Sequence, residues 1–160
     1  MRRVFRSWRV RRTRKGTFRI DLPEPERNVL RRLLPQLRQV VKGEGPDDGR
    51  ARRLFPTAYA SDEAADADYQ RLMHDELVSS RLAALDAVEE SLDARELDEV
   101  QLLAWMGSVN ALRLVLGTML DVSEDLDLGR LPDDEPDIEA YALYAYLSAL
   151  LEEIVEVLAA

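Results

Sequence analysis

The chain contains no cysteine and only one histidine. Disulfides, thiolate metal ligands, thiol nucleophiles and cysteine redox switches are therefore excluded. No nucleophile–base arrangement of the cysteine–histidine kind is available either. Lysine is scarce, with two among 22 basic residues, so positive charge is carried almost wholly by 20 arginines. That skew fits a GC-rich genome, though arginine also suits phosphate better than lysine does. Glycine is limited to 7 positions in 160, and none builds a phosphate-cradling loop. No apolar run approaches the ~18 residues of a membrane-spanning helix. Arg2-Arg3-Val4-Phe5 has the look of a twin-arginine export signal. The residues that follow, Arg6-Ser7-Trp8-Arg9-Val10-Arg11-Arg12, are not the apolar stretch such a signal requires. The expected location is cytoplasmic, with no membrane contact.

What is present is an uneven distribution of charge. The first nineteen residues carry nine basic side chains (Arg2, Arg3, Arg6, Arg9, Arg11, Arg12, Arg14, Lys15 and Arg19) and no acidic one. Residues 1–60 hold 17 basic and 6 acidic residues, and residues 61–160 hold 5 basic and 25 acidic, giving +11 on one side and −20 on the other. A basic arm on an acidic body grips either an anionic partner or the body itself.

Periodicity supplies the elements. In Thr17–Leu22, Phe18, Ile20 and Leu22 alternate with Thr17, Arg19 and Asp21, as in a strand with one buried face. The stretch 4–11 alternates less well, and Thr13-Arg14-Lys15-Gly16 between the two offers a turn, so the sequence predicts a β-hairpin. Pro23 and Pro25 sit where a helix begins. Val29, Leu30, Leu33, Leu34, Leu37, Val40 and Val41 follow at helical spacing, with Pro35 expected to kink or divide the helix. Gly43 to Arg53 has the composition of a linker. Ser61 is a good N-cap for a second helix to about residue 92, with Tyr69, Leu72, Met73, Leu77, Leu85, Val88 and Leu92 as its buried stripe. Asp98 with Gln101 forms a capping box, and Leu97 with Leu102 a hydrophobic staple, at the start of a third helix. Gly107 and Gly117 lie inside that helix at about 1 kcal/mol each relative to alanine, which suggests close approach of a neighbouring helix. An acidic loop covers 121–136. A last helix starts at Pro136, and its wide apolar arc (Tyr141, Leu147, Leu151, Ile154, Leu158, with Leu143, Leu150 and Val157) calls for packing on two sides, against the arm's helix or another subunit.

Candidate chemistry is sparse. His74 is flanked by Asp75 and Glu76, which point elsewhere on a helix, and the i+4 position is Val78, so a metal site is not indicated. Asp121, Ser123, Asp125 and Asp127 mimic the start of a calcium loop, but Leu126 and Pro132 stand where glycine and glutamate are required. Paired carboxylates always occur among 31 acidic residues, and nothing singles out one pair. No catalytic residue, metal or cofactor is expected. The arm is the strongest functional candidate: Arg2, Arg3, Arg6, Arg9, Arg11, Arg12, Arg14 and Lys15, interleaved with Phe5, Trp8 and Phe18, suit phosphate contact with aromatic stacking. The competing account has the aromatics packed on the body and the arginines facing its carboxylates, at about 0–1 kcal/mol for each exposed pair.

Leu54-Phe55-Pro56-Thr57-Ala58-Tyr59, the acidic run into Tyr69-Gln70-Arg71-Leu72, Trp105 with Asn110-Ala111-Leu112-Arg113-Leu114-Val115-Leu116-Gly117-Thr118, and Leu120-Asp121-Val122-Ser123-Glu124-Asp125 together resemble one family. It is the actinobacterial domain-of-unknown-function family 2017, which includes a regulator of oxidative stress. The similarity spans roughly residues 17–158. The resemblance implies a cytoplasmic regulatory protein rather than an enzyme. Family members are often named as transcriptional regulators and tend to be encoded near a Clp-protease adaptor. It implies no catalytic residues, and a cysteine-based switch is impossible in this chain. Asn110 and Arg113 are polar residues among Trp105, Val109, Leu112 and Leu116. They are expected to hydrogen-bond the segment around Leu54–Tyr59.

The expected fold is mainly α, an antiparallel bundle of about four helices with an N-terminal β-hairpin. The expected organisation is residues 1–43 as hairpin and first helix, 44–53 as linker and 54–160 as the acidic helical body, in one folded unit. The expected function is regulation through macromolecular contacts, with DNA or the transcription machinery engaged by the arm. The other possibility is a protein-interaction module, such as a proteolysis adaptor or a homo-oligomer built on the last helix.

Overall fold

The computed structural model of the chain describes residues 8–44, 50, 54, 65–122 and 128–160. It is mainly α with a small antiparallel sheet near its start. Strands β1 (Val10–Arg12) and β2 (Phe18–Ile20) pair in the register Val10 with Ile20 and Arg12 with Phe18. Alternation sends Val10, Phe18 and Ile20 into the core and Arg11 and Arg19 outward. In the connecting turn the Thr13 N–H donates to the Thr17 carbonyl at 2.9 Å, and Gly16 takes a φ of +82°, which glycine adopts without strain. A third strand, β3 (Glu96–Leu97), joins the free edge of β2 and sets Leu97 beside Phe18. Two residues are too short to carry an alternation signal, so the sequence predicts a hairpin where a three-stranded sheet forms.

Helix α1 (Glu24–Val41) follows Pro23, with Pro25 in its first turn. Arg27, Leu30, Leu34, Leu37 and Val41 make its buried stripe. Pro35 does not divide the helix, which runs through it. Its ring lies on the exposed face, where water can replace the donor that the Arg31 carbonyl loses.

Helix α2 (Ala65–Glu90) supplies Leu85 and Val88 to the core, and Leu92 follows just after its end. The first half of its expected stripe departs from the pattern. Tyr69, Leu72, Met73 and Leu77 are 62, 59, 44 and 37% exposed. The Ser61 cap lies outside the described residues.

Helix α3 (Glu99–Met119) opens on the predicted capping box: the Gln101 N–H donates to Asp98 Oδ1 at 2.7 Å, and the Asp98 N–H to Gln101 Oε1 at 2.9 Å. Leu97 and Leu102, the staple pair, are both buried. By length and mean hydropathy, 1.3, α3 is apolar enough to cross a membrane. Counting unbroken apolar residues misses this. In the fold it is the central helix, packed on α2 and α4, with Leu102, Trp105, Val109 and Leu112 buried. Trp105 is fully buried, and its indole N–H donates to Ser91 Oγ at 2.9 Å. The C-terminus closes in a Schellman motif, with Val122 N–H on the Gly117 carbonyl at 2.9 Å and Asp121 N–H on that of Thr118 at 3.2 Å. Asp121 holds the left-handed position, at φ +52°.

Helix α4 (Ile138–Ala159) buries Leu147, Leu150 and Ile154 and packs on α3 and on β1. The first strand of the hairpin therefore packs against part of its wide apolar arc, while Tyr141, Leu143, Leu151, Val157 and Leu158 stay partly exposed. One core cluster runs through the sheet and all four helices.

Candidate functional site

Arg2, Arg3 and Arg6 lie outside the described residues, as does Phe5. The rest of the arm is held by the body to very different degrees. Arg9, just before β1, is a clamp. Its backbone N–H donates to Glu153 Oε1 at 2.9 Å, and its guanidinium Nε and Nη2 donate to Glu26 Oε1 at 3.0 and 2.8 Å. Glu153 Oε2 lies 3.8 Å from Nη1, and the group stacks over the Tyr146 ring at 5.5 Å. The Glu26 hydrogen bonds raise the Arg9 pKa against the desolvation that lowers it. The Tyr146 hydroxyl is pushed up, chiefly by burial and then by Glu26. Arg9 thus ties β1 to α1 and α4.

Arg12 lies over the Phe18 ring at 5.0 Å and reaches the end of α4, with Nη2 donating to the carbonyls of Val157 at 3.4 Å and Ala160 at 3.3 Å. A cation there complements the negative end of the helix dipole. Arg11 and Arg19 face each other across the strands and share Asp21, at 3.8 and 3.3 Å, which relieves a like-charge pair. Arg14 and Lys15 stand exposed on the turn, without an ion-pair partner among the described residues. Phe18 is buried at 1% exposure, so it cannot stack on a base, whereas Trp8 is 46% exposed.

Asn110 and Arg113 come together; of the segment Leu54–Tyr59 expected to hold them, residues 55–59 lie outside the described residues. Arg113 Nη2 donates to Asn110 Oδ1 at 3.4 Å and Nη1 to the Tyr144 hydroxyl of α4 at 3.3 Å, with the Tyr144 ring 5.9 Å away. Among the described residues they join α3 to α4. The carbonyl of Leu54 accepts from Arg81 of α2, at 3.3 Å.

One polar residue was missed. Arg27, 6% exposed, donates to the carbonyls of Leu22 at 3.1 Å, of Ala94 and Ile20 at 3.4 Å, and of Leu92. It bridges the exit of β2 to the turn after α2. A signal existed, since residue 27 is in phase with 30, 34, 37 and 41.

His74 is exposed on α2. Among the described residues no group of three metal-ligating side chains converges. Residues 123–127 of the acidic loop lie outside the description.

The sequence profile of the family described as a domain of unknown function, DUF2017, matches residues 1–158. The chain belongs to this family. Curated relatives are named oxidative stress regulator AosR. The protein from Mycobacterium leprae is 33% identical over 135 residues, covering 82% of this chain and 58% of its own length, so the chain spans less than two thirds of that relative. Those from Mycobacterium bovis and Mycobacterium tuberculosis are 28% identical over 194 residues, covering 97% of this chain and 88% of theirs. No solved structure matches. DUF2017 relatives thus carry the names of regulators rather than of enzymes.

Proposed function

We propose that this chain is a non-enzymatic regulator, active in the stress response that its relatives' names indicate, and that it works by binding another protein through the first half of α2. The observation that carries this is the exposure of Tyr69, Leu72, Met73 and Leu77 on one helix face. Contiguous apolar surface of this kind marks interaction sites. The acidic residues Asp68, Asp75 and Glu76 flank it, so the complementary partner has an apolar centre and a basic rim. Among the described residues the arm supports the DNA reading less well, because Arg9 and Arg12 are committed to α1 and α4, and Arg11 and Arg19 share Asp21, which leaves Arg14 and Lys15 without an ion-pair partner.

Site-specific photo-crosslinking tests the proposal. A photoreactive residue at position 72, in cells exposed to peroxide, is expected to trap a protein that the same residue at exposed position 139 does not. Leu72→Asp with Met73→Asp is expected to abolish its binding. Duplex DNA is the contrary outcome. Salt-sensitive duplex affinity that Arg14→Glu and Lys15→Glu remove, and Leu72→Asp leaves intact, overturns the α2 assignment.

A further inference from the structure

Gly107 has no packing reason to be glycine. A Cβ built on it meets nothing within 4 Å, so the close helix approach expected from the sequence is not there. What it opens onto is a groove of about 260 Å³ between α1, α2 and α3. The floor is Gly107, Ser108 and Ala111, and the apolar walls include Leu37, Leu85 and Leu103. Three polar residues interrupt this lining, Ser80, Arg81 and Ser108. Ser108 is 3% exposed, and its hydroxyl has no hydrogen-bond partner among the described residues. Arg81 stands in the wall, desolvated enough to lower its pKa. A guanidinium has five N–H donors, so a ligand can share it with the partners it already has, the Leu54 carbonyl among them. A helix-interior glycine, a buried hydroxyl and a desolvated cation in a groove with both apolar and polar walls suit a ligand with an apolar tail and a negative head.

We propose that this groove binds a small amphiphilic monocarboxylate of roughly four to eight carbons, its carboxylate on Arg81 and Ser108 and its tail along Leu37, Leu85 and Leu103. The site meets the exposed face of α2 at Leu77, which lines the groove, and does not depend on that face binding a protein.

Hexanoate is the probe, titrated into the full ¹⁵N-labelled chain at neutral pH. The amides of Gly107, Ser108 and Ala111 are expected to shift together and saturate, and neutral hexanol to bind at least about tenfold more weakly. Arg81→Gln is expected to erase the preference for hexanoate over hexanol. Gly107→Leu, which fills the floor, is expected to remove the response to both. Should that variant fail to fold, Leu103→Trp at the 45% exposed groove wall is expected to weaken both. Unmoved amides at about 10 mM hexanoate, equal binding of hexanol, or an undiminished response in the groove-filling variants overturns the proposal.

Discussion

Arg27 makes every hydrogen bond assigned to it with a backbone carbonyl: those of Ile20, Leu22, Leu92 and Ala94. Truncation leaves buried acceptors without donors and a void where the side chain lay. Arg27→Ala is expected to cost about 2–4 kcal/mol in urea unfolding. A loss under about 0.5 kcal/mol would mean that water replaces the guanidinium. Two other residues run the opposite way. Asp121 holds a left-handed position that glycine occupies without strain, and it places a negative charge at the negative end of α3. Asp121→Gly is expected to stabilise by about 0.5–1 kcal/mol. Gly107→Ala adds a methyl to open space and gains helix propensity, for about 0.5–1 kcal/mol. Thermal unfolding of the two variants checks both signs, and a fall in either midpoint contradicts the local account.

At the scale of elements, the α2–α3 pair turns on one polar contact in the core. Ser91 accepts from the Trp105 indole and itself donates to the Ala87 carbonyl at 2.7 Å. Ser91→Ala is expected to cost about 1–3 kcal/mol, because the buried N–H keeps no partner. In Trp105→Phe the same Ser91→Ala change is expected to cost much less, which a double-mutant cycle measures. The elements that the sequence made legible are those whose signals are local. The Asp98–Gln101 box and the strand Phe18–Ile20 depend on residues a few positions apart. The sequence left β3 invisible, since its pairing with β2 spans nearly eighty positions. It also misplaced Tyr69–Leu77, because periodicity tells which face is apolar and not what lies against it. With 26 residues, α2 is longer than the 18 of α1 and the 21 of α3. Of the candidate site, the arginines of the arm were legible as charge, but their partners Glu26 and Glu153 lie on other elements.

Across the whole molecule, the opposition of a basic start and an acidic remainder is partly resolved inside the fold. Arg9 spends its charge on Glu26 and Glu153, and Arg12 on the end of α4. Because Val10, Phe18 and Ile20 belong to the same core as Trp105 and Leu150, the hairpin is expected to unfold together with the bundle. Arg9→Ala is expected to cost about 1–3 kcal/mol by leaving two part-buried carboxylates uncompensated, while circular dichroism and tryptophan fluorescence still report one transition. Separate transitions for the two signals would show that the hairpin is a loosely attached arm.

The two arginine clamps also differ in what substitution can do to them. Carboxylates belong to particular side chains, whereas a backbone carbonyl comes with every residue. The attachment of β1, which hangs on Glu26 and Glu153, can be released by changing its partners. The junction that Arg27 holds can be lost only at Arg27 itself. The Arg9 amide, donating to Glu153, and the Ile20 amide, donating to the Arg95 carbonyl at 2.9 Å, sit at opposite ends of this difference. In Glu26→Ala with Glu153→Ala, solvent exchange of the Arg9 amide should quicken by local opening between β1 and α4, and that of the Ile20 amide should not.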